Sequence, residues 1–447
     1  MWLLPFFSRL ADNALKLFYR FEVDGDRIPG EGPVLLVANH PNSLLDPAMV
    51  VAVARRPVRF LAKAPLFDEP GVGFLVRGAG AIPVYRKQDD PGEMGKNQDT
   101  FRAVWEALGD GAAVGIFPEG ISHSAPALAP LKTGAARIAL GAARQAGGVF
   151  PVVPVGLSFR RKERFRSDAL ALVGDAVEWD DLAAAGPEDW NAVDELTRRI
   201  DQALREVTLN LERWEDAPLV EAAEAIFAAE FPVEADPAEQ MARLREAADG
   251  LAVVRAENRA DWNGVAREVA GHARTLRVLG LTPHQLRRGA RIDVAAEWVA
   301  RQLVFFGIGA PAAALGIVAY FLPYRLTGVI EARAKPPVDV RATFKVLVGG
   351  ALCILWTLGL AGVAAWKGGW MACAAVLLGL PLLGVTALHV TDRWKRATGE
   401  ARRFLLRARR RRALAELRDR QQEIARHLHR LWEEVRLVTP FERGIVP

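Results

Sequence analysis

The sequence predicts an α/β layer fold, a mixed sheet flanked by helices, followed by an all-α region that holds a membrane helical hairpin. Three observations predict it. From residue 30 to about 210, short apolar runs alternate with segments of helical periodicity, the pattern of buried strands with helices packed over them. Residues 211–300 are rich in Ala, Glu and Arg and read as helical. Finally, Leu303–Pro323, Val346–Trp366 and Trp370–Val390 contain no Lys, Arg, Asp or Glu.

Residues 1–24 read as an amphipathic interfacial helix. Leu3, Phe7, Leu10, Ala14, Leu17 and Phe21 recur at three- and four-residue steps, with Arg9, Asp12, Lys16 and Arg20 between them, which suits a membrane surface. A clear basic start and a small-residue cleavage site are both missing, so the segment is not read as a signal peptide. The globular part is therefore expected on the cytoplasmic face of the cell inner membrane.

Residues 25–210 form the α/β domain. Val34–Ala38, Val58–Ala62, Ala81–Val84, Ala113–Phe117 and Val152–Leu157 read as strands; Pro47–Arg55, Thr100–Leu108 and Lys132–Ala146 read as helices. The helical region 211–300 follows, and then the membrane segments over 301–392.

Each charge-free run has 21 residues, about 31 Å as a helix against a bilayer core of ~30 Å. Lys367-Gly368-Gly369 between the second and third runs leaves room only for a helical turn, so 346–390 is read as a spanning hairpin. The first run holds Pro311 and ends at Pro323. Basic residues flank all three runs except at the Lys367 turn. Three full spans would place a basic loop or the basic tail on the wrong side. The expectation is therefore that 303–323 is re-entrant or interfacial.

Residues 393–447 form a basic helical tail with 16 Lys/Arg against 7 Asp/Glu. The chain's net charge is 58 − 53 = +5, so everything before the tail sums to −4. A uniformly basic nucleic-acid binder is excluded. The basic stretch 402–412 suits anionic lipid, or simply a solvated helix face. Leu414, Leu417, Gln421, Ile424, Leu428, Leu431 and Val435 keep a 3-4 spacing with one polar break. That seam is expected on the chain's own helices, with a homodimer as the alternative. The only cysteines, Cys353 and Cys373, lie inside apolar runs, so a disulfide scaffold and a cysteine zinc site are excluded.

The residues that carry chemistry stand at predicted strand ends, where α/β sheets place their working groups. His40 follows Val34–Ala38, and Asp46 is the nearby acid. A histidine oriented by a carboxylate can take a proton from an alcohol. Asp46 before Pro47 also reads as a helix N-cap, and both readings stand. Phe117-Pro118-Glu119-Gly120 follows another strand. Gly78–Arg86 ends a third in an arginine, and Val153-Pro154-Val155 lies in the last.

These four motifs, in this order and roughly this spacing, resemble the glycerolipid acyltransferase family that acylates glycerol 3-phosphate or 1-acylglycerol 3-phosphate. The resemblance covers about residues 25–210. It implies His40 as general base, Asp46 as its orienting partner and Arg86 as the ligand of the acceptor's phosphate. It implies that Glu119 and Gly120 shape the acceptor site, that Pro154 lines the acyl-donor side, and that Lys63 makes a second phosphate contact. The implied donor is acyl-CoA or acyl carrier protein. A thioester has a good leaving group, so no cofactor, metal or covalent enzyme intermediate is needed.

Two departures stand out. The His40–Asp46 spacing is one residue longer than the family's usual one. On an unbroken helix it would put the two side chains on different faces, so the loop before Pro47 must absorb the extra residue. Ile121-Ser122-His123-Ser124 stands where many members carry Thr-Arg-Ser, which leaves His123, Lys132 or Arg137 as replacements for the missing cation.

Overall fold

The computed structural model describes residues 4–25, 28–70, 72–85, 91–233, 236–256, 260–287 and 295–438. The chain divides into two units, the first made of Met1–Trp214, Ala235–Arg245 and Pro337–Thr343, the second of the remainder.

The first unit runs α1 (Leu4–Phe18), β1 (Tyr19–Asp24), β2 (Val34–Ala38), α2 (Leu45–Ala54), β3 (Val58–Lys63), α3 (Val72–Gly78), β4 (Ile82–Val84), α4 (Asn97–Gly109), β5 (Ala113–Ile116), α5 (Gly134–Ala143), β6 (Val152–Phe159), β7 (Ser167–Val173) and α6 (Trp190–Glu206). The strands form one seven-stranded sheet in the order β1-β7-β6-β2-β5-β3-β4. Neighbours are parallel except β6 and β7, which are antiparallel. The predicted mixed sheet with flanking helices is therefore present. Val34–Ala38 is buried at every position, as expected of a central strand covered on both faces. Leu35, Val37, Val114 and Val152 from the sheet pack with Ile138 and Leu140 of α5 and Leu196, Ile200 and Leu204 of α6.

The N-terminal segment departs from its expectation. The helix ends at Phe18, and Tyr19–Asp24 is the edge strand β1, so Phe21 belongs to the sheet. Leu15, Phe18 and Tyr19 are buried. The three-four stripe ran on through Phe21 only because a strand residue fell on a helical step. What fixes β1 is pairing with distant β7, where Arg20 Nε donates to Asp168 at 2.7 Å. β7, which no sequence reading anticipated, returns from β6 through a turn with Arg166 at φ 58°.

The second unit is helical: α7 (Ala217–Glu230), the later part of α8 (Pro237–Ala256), α9 (Ala260–Leu279), α10 (Pro283–Arg287), α11 (Ala295–Ala334), α12 (Arg341–Arg409) and α13 (Arg411–Val438). The C-terminal heptad seam lies on the chain's own helices. Ile424, Ala425 and Leu428 pack with Ile226 and Val269, while Leu414 and Leu417 pack with Leu276, Leu281 and Leu286. Its polar break is fully buried: Gln421 accepts from His272 at 3.2 Å and donates to Glu230 at 2.6 Å.

The first charge-free run lies within the unbroken helix α11, with Pro311 and Pro323 inside it, rather than in two half-helices around a turn. The other two runs share α12, which is interrupted at Gly369 with φ 73° and ψ −170°. That left-handed backbone, which glycine adopts at little cost, falls on the predicted turn. α11 meets both stretches of α12: Tyr320 bonds Thr357 at 2.9 Å, and Ala313 packs against Ala387 and Val390. Trp298–Ala334 and Arg341–Leu406 are long and apolar enough to cross a membrane, and their most apolar windows are only 11% and 6% buried in the chain. Buried core helices of a soluble domain would be covered by protein; these are not.

Candidate active site

The site is built where β2 ends between β5 and β6. Asn39 extends the ladder with its side chain: Nδ2 donates to the Leu157 carbonyl at 3.0 Å and Oδ1 accepts the Leu157 N–H at 2.7 Å. This fixes the chain direction at the residue before His40.

The next loop solves the spacing problem. Ser43 takes the left-handed conformation, φ 52°, which costs a non-glycine residue about 1–2 kcal/mol. The N–H groups of Leu45 and Asp46 bond back to the carbonyls of Asn42 and Ser43 at 3.2 and 3.3 Å. The extra residue is absorbed there, and Asp46 returns to His40, with Nδ1 to Oδ2 at 2.8 Å. Helix α2 begins at Leu45 with Leu44 at the cap and no side-chain cap bond. The N-cap reading of Asp46 is thus not realised. Its carboxylate serves the histidine ring and the Asn42 N–H, at 2.6 Å.

Asp46 is completely buried, and Oδ1 has no partner among the described residues. Burial pushes its carboxyl above the ordinary value, while the hydrogen bond and charge of His40 pull the other way. With Nδ1 held by a carboxylate, the consistent assignment is Nδ1–H donating to Asp46 and a lone pair on Nε2. The ring stacks on Phe117, centroids 4.1 Å apart. The His40 side chain keeps 20% of its surface exposed, so solvent reaches the ring but not Asp46.

Glu119 is a hub. It is 2% exposed. Oε1 accepts the His40 N–H at 2.8 Å; Oε2 accepts the Ala129 N–H at 2.8 Å and a bond from His123 Nε2. His123 Nδ1 accepts the Ala125 N–H at 3.1 Å, which assigns the proton to Nε2. Both Glu119 oxygens are thus engaged by protein donors that join the His40 loop to residues 120–129. His123 supports Glu119 and does not stand as a loose cation. Gly120, at φ 72°, turns the chain after Glu119.

Further side chains brace the pair. Tyr19 O–H accepts from Asn42 Nδ2 at 2.8 Å and donates to the Lys162 carbonyl; burial raises its phenol above the ordinary value. Lys162 Nζ donates to the Pro41 carbonyl and to Ser124 Oγ, both at 2.6 Å. Burial lowers the Lys162 ammonium, opposed by the carboxylates of Asp46, Asp339 and Glu163. Ser122 Oγ accepts the Ser43 N–H at 3.1 Å. Tyr19 and Lys162 are 143 positions apart and belong to none of the motifs read from the sequence, so only the fold brings them together. Asn42 stood in plain view beside His40, though nothing marked its role.

The remaining predicted residues fall in different places. Lys63 ends β3 opposite Val84 and is partly exposed. Arg86 lies outside the described residues. Pro154 is buried within β6 opposite Val37, and its ring contacts the position a Gly174 Cβ would occupy. It therefore fills the sheet and does not line an open face. Arg137 lies over the Phe101 and Trp190 rings, with Glu188 at 3.9 Å. Lys132 is exposed, with its stem next to Gly120. It is the cation among the three candidates placed beside the Glu119 turn.

Residues 20–158 match the family model described as Acyltransferase. The chain is 33% identical over 136 residues to glycerol-3-phosphate O-acyltransferase 2 of Saccharomyces cerevisiae, covering 29% of this chain and 18% of that protein. It is 26% identical over 314 residues to glycerol-3-phosphate O-acyltransferase 1 of the same yeast, covering 50% and 41%. A chloroplastic 1-acyl-sn-glycerol-3-phosphate acyltransferase of Brassica napus is 31% identical over 149 residues, covering 33% and 40%. The chain thus spans less than half the length of these relatives.

Proposed function

We propose that this chain, whose residues 20–158 match the Acyltransferase family, is a membrane-bound enzyme. In this reading it moves a fatty acyl group from a thioester, acyl-CoA or acyl carrier protein, to a hydroxyl of glycerol 3-phosphate or 1-acylglycerol 3-phosphate. The observation that carries this is the His40–Asp46 pair, bonded at 2.8 Å through Nδ1 with the histidine side chain 20% exposed. The names of the similar yeast and plant proteins support the acceptor class.

The acceptor hydroxyl attacks the thioester carbonyl as its proton passes to His40 Nε2. Asp46 stabilises the imidazolium that forms. The tetrahedral intermediate collapses, the C–S bond breaks, and the leaving sulfur takes the proton from Nε2 and departs as the thiol, which restores neutral His40. Lys63 and Lys132 supply cations for an acceptor phosphate in this reading, with Arg86 as the arginine that the motif order nominates. Glu119 acts by fixing the His40 backbone. The apolar helices and the basic tail would hold the domain at the cytoplasmic surface, where acyl chains need not cross water.

Radiolabelled acyl transfer by the purified full chain to glycerol 3-phosphate, 1-acylglycerol 3-phosphate and dihydroxyacetone phosphate, side by side, tests this. Transfer to a phosphorylated acceptor, lowered about a hundredfold to ten-thousandfold in His40→Ala, is the expected result. Undiminished transfer by His40→Ala would refute the mechanism.

A further inference from the structure

Within the second unit, α11 and the later stretch of α12 leave a groove of ≈ 840 Å³ between them. Val304 and Ile308 on α11 and Val385 on α12 make its walls apolar. One end differs: Arg301 stands there on α11 and Arg393 on α12. The Arg393 guanidinium is held in a fixed pose. Nε donates to Gln302 Oε1 at 3.1 Å, and the guanidinium carbon lies 4.2 Å from the centre of the Phe305 ring. Its two terminal nitrogens have no protein acceptor among the described residues. His389, on the same wall, has Nδ1 engaged by the Val385 carbonyl at 2.9 Å.

The position of the two arginines along the helices gives this end its meaning. The first charge-free run begins at Leu303 and the third ends at Val390, so Arg301 and Arg393 lie just outside them. In a bilayer that is the level where hydrocarbon gives way to lipid phosphates. From Arg301 to Ile308 the wall is about 10 Å long at ~1.5 Å per residue, enough for a headgroup and the start of an acyl chain. Any lipid tail suits the apolar part. Two guanidinium groups select an anion, because each offers paired donors to phosphate oxygens, and a zwitterionic headgroup brings its own competing ammonium.

We propose that this groove is a binding site for an anionic glycerophospholipid, with its phosphate between Arg301 and Arg393 and an acyl chain along Val304, Ile308 and Val385. The site rests on the membrane reading of α11 and α12 and is independent of the acyl-transfer chemistry at His40.

Native mass spectrometry of the full detergent-solubilised chain tests it, with dioleoyl phosphatidylglycerol, dioleoyl phosphatidylcholine and inorganic phosphate as probes. Phosphatidylglycerol is expected to bind about tenfold more tightly than phosphatidylcholine, and inorganic phosphate is not expected to displace it. Arg301→Gln with Arg393→Gln should bring both lipids to the same level. Ile308→Trp, which fills the groove and keeps the cations, should weaken both. Equal binding of the two lipids by the parent chain, displacement by free phosphate, or a preference that survives the double substitution would each overturn the proposal. Flotation of parent and variants with liposomes is read separately: a parent chain that stays at the bottom removes the membrane reading itself.

Discussion

With Nδ1 of His40 committed to Asp46, proton transfer depends on how well one buried carboxylate keeps that ring in place. Burial holds the Asp46 proton more tightly in the folded chain than an unfolded aspartate does at 3.8. A carboxyl raised in this way favours folding less and less as pH climbs from 3.8 through the raised value. Asp46→Asn lacks that loss. Its thermal midpoint relative to the parent should therefore improve as pH goes from about 4 to about 7, while its acyl transfer falls. A difference that shrinks over that interval would contradict the sign. Lys162 belongs to the same scale. Removing its donors from the Pro41 carbonyl and Ser124 should lower kcat about tenfold in Lys162→Met, the worth of one charge-assisted hydrogen bond. The acceptor KM should stay near its parental value, because the ammonium braces the loop without touching substrate. A rise in KM with unchanged kcat would instead make Lys162 a binding residue.

At the scale of the element, the loop from His40 to Leu44 decides whether the histidine and aspartate meet. Its left-handed residue is Ser43, where glycine loses the steric penalty and a β-branched side chain suffers most. Ser43→Gly is expected to keep parental activity and stability. Ser43→Val should lose about 1–2 kcal/mol, read by denaturant unfolding in detergent, together with much of its acyl transfer. Parental behaviour in Ser43→Val would mean that the loop finds another route to the same geometry. Glu119 makes the same point for its own turn. It was legible as part of Phe-Pro-Glu-Gly, yet the motif could not say that both oxygens face the protein, because their partners His40, His123 and Ala129 come from two separate loops.

For the molecule as a whole, α11 and α12 present large apolar side chains outward: Leu303, Ile308, Val318, Ile354, Leu355, Leu378 and Leu382 are all more than half exposed. Contiguous apolar surface of this extent is covered in a stable protein, and bilayer is the cover that fits helices of this length. The chain should therefore remain in the membrane pellet through alkaline carbonate washing and leave it only with detergent. Release by carbonate would mean that another protein covers these helices. Single-cysteine labelling at Arg277 and Arg333, which flank the first run, from each side of sealed vesicles reads its topology. Both sites on one face agree with a first run that does not cross; opposite faces mean that it does.

Whatever depends on neighbours along the chain could be read from residue order alone. The central strands follow from apolar runs, the hairpin from Gly369 between two charge-free runs, and the candidate base from its place after Val34–Ala38. Whatever depends on residues far apart came only with folding. Tyr19–Asp24 became a strand because β7 lies beside it, and Asp46 became a partner instead of a cap because Ser43 reverses the loop. The C-terminal seam was visible as a 3-4 pattern, but its partner was not, since any helix with a matching apolar face satisfies such a pattern. Periodicity records which face is apolar; only packing supplies the surface that covers it.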